Sequence, residues 1–187
     1  MILPLVYYPD PRLREKGKPV ATFDAKLAAL VDDMLETMDA HEGVGLAAQQ
    51  VGLALQLAVI DVTGIEDRPS TMKVGGVAVN PDDYMPVLLI NATVTGTKAK
   101  EEGGEGCLSF PGLRADVSRS RRVTVRTHEL DGKPFEFEAD GLLAVAVQHE
   151  HDHNQGRLFI DALPPAVRAE LKPELDALAA KYDAERK

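Results

Sequence analysis

The first clear periodic pattern lies between Phe23 and His41, where apolar residues recur at intervals of three and four. These residues are Leu27, Leu30, Val31, Met34, Leu35 and Met38. That spacing places them on one face of a helix, so the segment is predicted to be an amphipathic helix. Thr22 or Asp24 can cap its N-terminus, and Gly43 stands just past its end.

The middle of the chain has the composition of strands. Residues 54–62 and 87–96 are rich in β-branched and other apolar residues, which predicts a strand in each. Residues 122–140 alternate around an Asp-Gly pair, the pattern of a β-hairpin. Residues 63–86 are rich in turn formers and are predicted to form a surface loop.

The C-terminal part is again helical in pattern from Pro165 onward. Pro173 is expected to kink or split this helix, because proline removes a hydrogen-bond donor from a helix interior. Strands mixed with a few helices indicate an α+β fold. A length of 187 residues suits one domain, so residues 1–187 are expected to form a single domain.

Candidate chemistry is concentrated in "QHEHDHNQG", residues 148–156, where His149, His151 and His153 alternate. On a strand all three side chains would lie on one face. On a helix, His149 and His153 converge and His151 points elsewhere.

The length of the segment decides between these geometries. Residues 141–154 are too long for a typical strand, Asp140 can cap a helix, and Gly156 stands where a helix ends. The helical interpretation gives His-Glu-x-x-His, a pair of metal ligands followed by the carboxylate of Glu150, and leaves His151 outside the site.

Cys107, in "EGCLSFPG", is the candidate third ligand. A lone cysteine is most often a small buried residue, but this one lies between glycine and a turn. A cysteine with two histidines leaves one metal position open, as catalytic sites require. Two other metalloenzyme classes do not fit: metzincin proteases need a third histidine where Phe159 stands, and nucleobase deaminases need a second cysteine.

Charge and hydropathy narrow the possible partners. The net charge is −9 and the pI is near 5.0, which argues against general binding to nucleic acid or to an anionic membrane. No apolar run approaches the roughly 18 residues of a membrane span. The start of the chain lacks a signal-peptide pattern, so a cytoplasmic location is expected.

A third stretch, "GVGLAAQQVG" at residues 43–52, would by itself be taken as a helix end and a packed turn. Together the three stretches resemble the peptide deformylase family, whose G-x-G-L-A-A-x-Q, E-G-C-L-S and Q-H-E-x-D-H motifs are all complete. "YPDPRLR" and "DGKPFEFEADGLLA" extend the similarity to most of the chain. The resemblance implies mixed and antiparallel sheets packed around a central metal-binding helix, with an N-terminal amphipathic helix and a C-terminal helix.

The resemblance also implies an activity: removal of the N-formyl group from the formyl-methionine of newly synthesised peptides, with release of formate. It implies that Cys107, His149 and His153 bind one divalent metal. Ferrous iron is the implied metal, and zinc, nickel or cobalt stay open. A metal-bound water would attack the formyl carbon, with Glu150 as general base and acid.

The resemblance assigns further residues to the substrate. Gln50 and the backbone N–H of Leu108 would bind the formyl oxygen. The peptide backbone would pair with Val44, Gly45 and Gly106. The pocket for the methionine side chain would be lined by Val44, Leu142, Val145 and Ala146, with Arg114 at its rim.

Three other features bear on this prediction. Asp152 points away from the metal face of a helix, and a pair with Arg119 that braces the helix is a hypothesis. The 63–86 segment is longer than the corresponding connection usual in the family. Asn154 stands where the family more often has an apolar residue.

The tail from Ala162 onward carries five basic residues, including Arg186 and Lys187, and five acidic ones. A neutral tail gives little support for docking on ribosomal RNA, so transient ribosome association stays open. Two rival classes also stay open. One is a metal-free thiol hydrolase with Cys107 as nucleophile, which chelation would distinguish. The other is a catalytically silent binding protein, for which Glu150 would have no use.

Overall fold

The computed structural model describes residues 1–185, so Arg186 and Lys187 of the tail lie outside the described residues. The helices are α1 (Ala25–Ala40), α2 (Leu142–Asn154), α3 (Pro165–Glu170) and α4 (Lys172–Glu185). The strands are β1 (Gly45–Ala47), β2 (Leu57–Ile60), β3 (Ser70–Val74), β4 (Val77–Val79), β5 (Val87–Ile90), β6 (Thr93–Gly96), β7 (Lys100–Gly106), β8 (Arg114–Ser120), β9 (Arg122–His128) and β10 (Pro134–Gly141).

Helix α1 confirms the first periodic pattern. Its buried face includes Leu27, Val31, Met34 and Met38. Of the two candidate caps the structure uses Asp24, whose side chain accepts hydrogen bonds from two backbone N–H groups of the first turn. At the other end of the chain the helical segment is split between α3 and α4, just before Pro173, as its proline predicts.

The strands form three antiparallel sheets, in the orders β1-β2-β5, β4-β3-β10-β9-β6 and β7-β8. The predicted hairpin is β9–β10, with Val125 opposite Phe137. The predicted strand 54–62 is shorter, and the segment 87–96 is divided into β5 and β6. Asn91 lies between those two strands with a φ of 51°, and its side chain bonds the backbone N–H and C=O of Val20.

The prediction of a surface loop over residues 63–86 is wrong for the middle of the segment, which is part of a sheet. Residues 70–79 of this segment form the hairpin β3–β4, turned at Gly75 and Gly76, both with positive φ. Strand β3 pairs with β10, so the five-stranded sheet includes it. Local composition could not show this, because the partner strand lies far away in the sequence and the segment is dense in glycine, proline and aspartate.

The same hairpin corrects the predicted cap of α2. Asp140 is a residue of β10 and does not cap the helix, which begins after Gly141 with no side-chain cap of its own. Instead the Ser70 hydroxyl of β3 accepts the N–H of Leu143 at 2.9 Å. The helix ends as predicted, with Gly156 just past it at a φ of 72°.

Helix α2 is the centre of the structure. Leu143, Ala144 and Val147 are fully buried against residues of β2, β5, β9 and β10. Antiparallel sheets packed around this helix confirm the predicted fold class. Within residues 1–185 no helix is long and apolar enough to span a bilayer.

Candidate metal centre

The structure brings Cys107, His149 and His153 together. Cys107 directly follows β7, and the two histidines lie one turn apart on α2. One potential ligand atom from each residue lies within 4.8 Å of the others, and Cys107 Sγ is 3.4 Å from His153 Nε2. Both histidines are buried, whereas His151 is half-exposed on another side of the helix and outside the cluster.

A buried ionic network stands behind the cluster. His149 Nδ1 is 2.9 Å from Glu105 Oε1, and both Glu105 oxygens accept hydrogen bonds from Arg119 at 2.9 Å. Arg119 also donates to Asp152 at 2.6 Å, which confirms the hypothesis of a pair that braces α2. Glu105 was missed in the sequence, although it stands two residues before Cys107 and so shares a strand face with it.

The network fixes how His149 faces the cluster. Because Nδ1 of His149 is bonded to a carboxylate, its Nε2 is the atom left for a metal. Burial alone would raise the pKa of Glu105, but hydrogen bonds from His149 and Arg119 outweigh it and lower that pKa to about 2. Burial lowers the pKa of His153 well below its ordinary value, which favours the neutral imidazole that metals bind.

Glu150 lies near Cys107 and His149 and is buried, which is unusual for a carboxylate. It is only 4% exposed, and its Oε2 has no hydrogen-bond partner among residues 1–185. Burial raises its pKa to about 7, near the value that suits proton transfer at neutral pH. Its side chain lies over Gly45, where any Cβ would collide with the carboxylate, so glycine is required there.

The donor set fits a divalent transition metal. One sulfur and two imidazole nitrogens are ligands that zinc and its first-row neighbours accept, and three protein ligands leave a position open for chemistry. Glu150 lines the same cleft as Cys107 and His149, and its buried Oε2 is an oxygen that lacks a hydrogen-bond partner there.

Comparison with known proteins decides the family. The family model for polypeptide deformylase matches residues 2–169. A peptide deformylase of Methylacidiphilum infernorum is 55% identical over 178 residues, which are 95% of this chain and 93% of the relative. The chain belongs to the polypeptide deformylase family. Since that family consists of hydrolases, the chain is an enzyme of this class, and the resemblance inferred from the three motifs is confirmed.

Solved deformylase structures share the fold. One from Legionella pneumophila has a TM-score of 0.80 and 40% identity, and covers 100% of this chain and 99% of its own. One from Plasmodium falciparum has a TM-score of 0.84 and 28% identity, and covers 98% of this chain and 99% of its own.

The cluster of Cys107, His149 and His153 lies at a cleft of about 620 Å³. Every site residue expected from the resemblance lines this cleft except His153, which is buried. The cleft-lining residues are Val44, Gly45, Gln50, Gly106, Cys107, Leu108, Arg114, Leu142, Val145, Ala146, His149 and Glu150. The cleft also includes Ile65, Asp67 and Arg68, which the loop prediction for residues 63–86 missed and for which the sequence carried no signal.

Gln50 is held in a fixed orientation at the cleft. The N–H of Ala47 donates to its amide oxygen at 2.9 Å, which leaves Nε2 facing Cys107 Sγ at 3.4 Å and Ser109 Oγ at 3.2 Å. Its side chain therefore presents a donor beside the cysteine.

Asn154, a departure from the family pattern, is buried and well bonded. Its Nδ2 donates to Gln49 Oε1 at 3.0 Å and to the carbonyls of Leu55 and Leu57. These bonds satisfy the amide N–H groups and explain how a polar residue is tolerated next to His153.

Proposed function

We propose that this deformylase removes the N-formyl group from formyl-methionine at the start of newly synthesised peptides, releasing formate. The observation that carries the proposal is the buried, unpartnered Glu150 oxygen in the cleft that also contains Cys107 and His149. A carboxylate with a pKa near 7 can take a proton from water and return it to a leaving amine.

The substrate backbone has two open strand edges to pair with. Strand β1 is the outer strand of its sheet, and β7 pairs only with β8 among the described strands. Gly45 of β1 and Gly106 of β7 both line the cleft, and a peptide bound between them would add a strand by main-chain hydrogen bonds.

The methionine side chain has an apolar wall to pack against. Leu142, Val145 and Ala146 lie on one face of the first turns of α2, spaced three and four residues apart. Val44 and Ile65 complete an apolar surface at this side of the cleft.

Cys107, His149 and His153 would hold the metal, which when bound polarises a carbonyl and makes a water molecule more acidic. Glu150 receives the proton of the attacking water and transfers it to the nitrogen of the departing methionine. Its burial keeps the carboxylate poised, because both protonation states are accessible near pH 7.

Two donors would stabilise the negative charge that develops on the formyl oxygen. Gln50 Nε2 is one, held in place by the Ala47 contact. The backbone N–H of Leu108 is the other, and no acceptor bonds it among residues 1–185. Removing one such donor typically lowers the rate by about 10²–10³-fold.

The test is the isosteric change Glu150→Gln, assayed on a formyl-methionyl peptide together with the metal content. Loss of the proton acceptor should lower kcat/KM by about 10²–10⁴-fold while a full equivalent of metal stays bound. Glu42→Gln, which changes another carboxylate lining the cleft, is the matched control and should keep near-parent turnover. A Glu150→Gln protein within tenfold of the parent would remove Glu150 from the reaction.

A chelator separates this mechanism from a thiol hydrolase. Turnover should disappear with the chelator and return when ferrous ion is added back without oxygen. Turnover that persists in metal-free protein would favour Cys107 as a nucleophile. Iron as the resident metal, one domain over residues 1–187, the cytoplasmic location and transient ribosome association stay predictions.

A further inference from the structure

We propose that Arg68 and Arg114 form an anion-binding pair at the cleft, which favours formyl peptides with an acidic side chain at the third residue. This inference rests on the proposed function, because it names a substrate preference of the same cleft. Arg68 belongs to the segment before β3, and Arg114 is the first residue of β8.

The two guanidinium groups converge on one backbone oxygen. Arg68 Nη1 donates to the carbonyl of Gly104 at 2.9 Å, and Arg114 Nη2 lies 3.5 Å from the same oxygen. The strand is narrow at this point: a Cβ at Gly103 would lie 3.3 Å from Arg68 Nη2, and one at Gly106 would lie 3.2 Å from Arg114 Nη1, so glycine leaves room for both guanidinium groups. Both arginines line the cleft with His149 and Glu150.

Neither guanidinium forms an ion pair with a carboxylate of the described residues. Among residues 1–185 no carboxylate oxygen lies within 4.0 Å of Arg68 or Arg114. Asp67 and Glu42 also line the cleft but stay beyond that distance. Two like charges on one acceptor repel each other, and an anion placed between them would relieve that repulsion. Guanidinium pairs are well suited to a carboxylate, which each can bind by two hydrogen bonds.

The position along the peptide follows from strand geometry. The formyl group must reach the cluster at Cys107. A peptide that runs from there along the open edge of β7, past Gly106 and then Gly104, is antiparallel to that strand. Gly104 lies two residues before Gly106, so a peptide whose first residue is beside Gly106 has its third residue beside Gly104. The third side chain lies on the same face as the first.

Arg68 lies on the side of the cleft that the third side chain would face. The carbonyl of Pro69, the next residue, accepts the N–H of Leu142 at 3.3 Å. Arg68 is therefore adjacent to the start of α2, where the methionine side chain is proposed to bind.

The experiment compares kcat/KM for formyl-Met-Ala-Xaa-amide peptides with Glu, Gln or Lys as the third residue. The parent should favour the Glu peptide over the Lys peptide by about tenfold, mainly through KM, since two partly exposed charge pairs contribute this much. Raising the salt concentration from 0.05 M to 0.5 M should shrink that ratio, because exposed charges are screened. A Gln peptide with a free carboxylate tests whether the pair instead binds a chain terminus.

The variants assign the preference to Arg68. Arg68→Ala should reduce the Glu-to-Lys ratio to about threefold, and Arg68→Lys should retain more of it. Lys73→Ala is the matched control, because it removes one positive charge from the same hairpin at an exposed position outside the cleft. It should keep the parent ratio.

Other outcomes would overturn the inference. They are equal kcat/KM for the Glu and Lys peptides, a ratio that Arg68→Ala leaves unchanged, or a preference confined to the free carboxylate. Any of these leaves the proposed function intact as long as the peptides are deformylated. Absence of turnover on every formyl peptide would instead contradict the proposed function itself.

Discussion

The two sides of the cleft are held by different kinds of interaction. The metal-cluster side rests on buried charges, with Glu105 4% and Arg119 7% exposed. The side formed by residues 63–86 rests on main-chain pairing of β3 with β10 and on single side-chain bonds from Arg68 and Ser70. A buried charge that loses its partner is left uncompensated, whereas main-chain pairing survives most side-chain changes. The cluster side should therefore be the more sensitive of the two to isosteric substitution.

The substitution expected to have the largest effect on stability and metal binding is Glu105→Gln, on the cluster side. The change removes the charge that Arg119 and His149 share, so unfolding free energy should fall by roughly 3 kcal/mol, as in other broken buried pairs. Metal affinity should fall by about 10–100-fold, the usual result of altering a partner of a ligand histidine. Chemical denaturation and metal titration measure the two effects.

Glu102→Gln, an exposed change on the same strand, is the control and should alter neither quantity. The pH dependence supplies a second check. Because the folded-state pKa of Glu105 is lowered from 4.5 to about 2, its stabilising contribution is present above about pH 4.5 and is lost as the pH falls toward 2. In metal-free protein the parent and Glu105→Gln should converge in stability over that range, and a constant difference would contradict the role of the charge.

A smaller effect is expected on the other side of the cleft from Ser70→Ala. The hydroxyl caps the first turn of α2 from a neighbouring strand, so its loss should lower the free energy of unfolding by about 1 kcal/mol. Metal affinity should stay the same, because the cap lies far along the helix from His149 and His153. Thr71→Val, which removes an exposed hydroxyl from the same strand, is the control in the same denaturation experiment. Equal stability of Ser70→Ala and the parent would mean that water replaces the cap.

The contrast between the two sides also explains what the sequence could predict. The cluster was accessible because the spacing of His149 and His153 has a direct meaning on a helix, and because Cys107 is the only cysteine. The structure of residues 63–86 could not be predicted in this way. Its strand β3 is held by pairing with β10, and short strands between turn residues carry little periodicity of their own. The same limitation hid Ser70, since a cap from a distant strand leaves no local pattern. Glu105 was visible in its motif, but its partner Arg119 joins it only through the β7–β8 pairing.

The smallest effect is expected from His151→Ala, on the cluster side itself. His151 lies between the two ligand histidines in sequence, yet on α2 it is half-exposed, and its side chain makes no hydrogen bond or ion pair among residues 1–185. Its removal should change the free energy of unfolding by less than about 0.5 kcal/mol and leave metal content and turnover near those of the parent. His149→Ala and His153→Ala, purified alongside it, should each lose most of the metal. Comparable metal loss in all three variants would mean that the three histidines share a face, which a helix cannot give. The helical geometry of the centre, and with it the sensitivity assigned to this side of the cleft, depends on His151 being the histidine whose loss has no consequence.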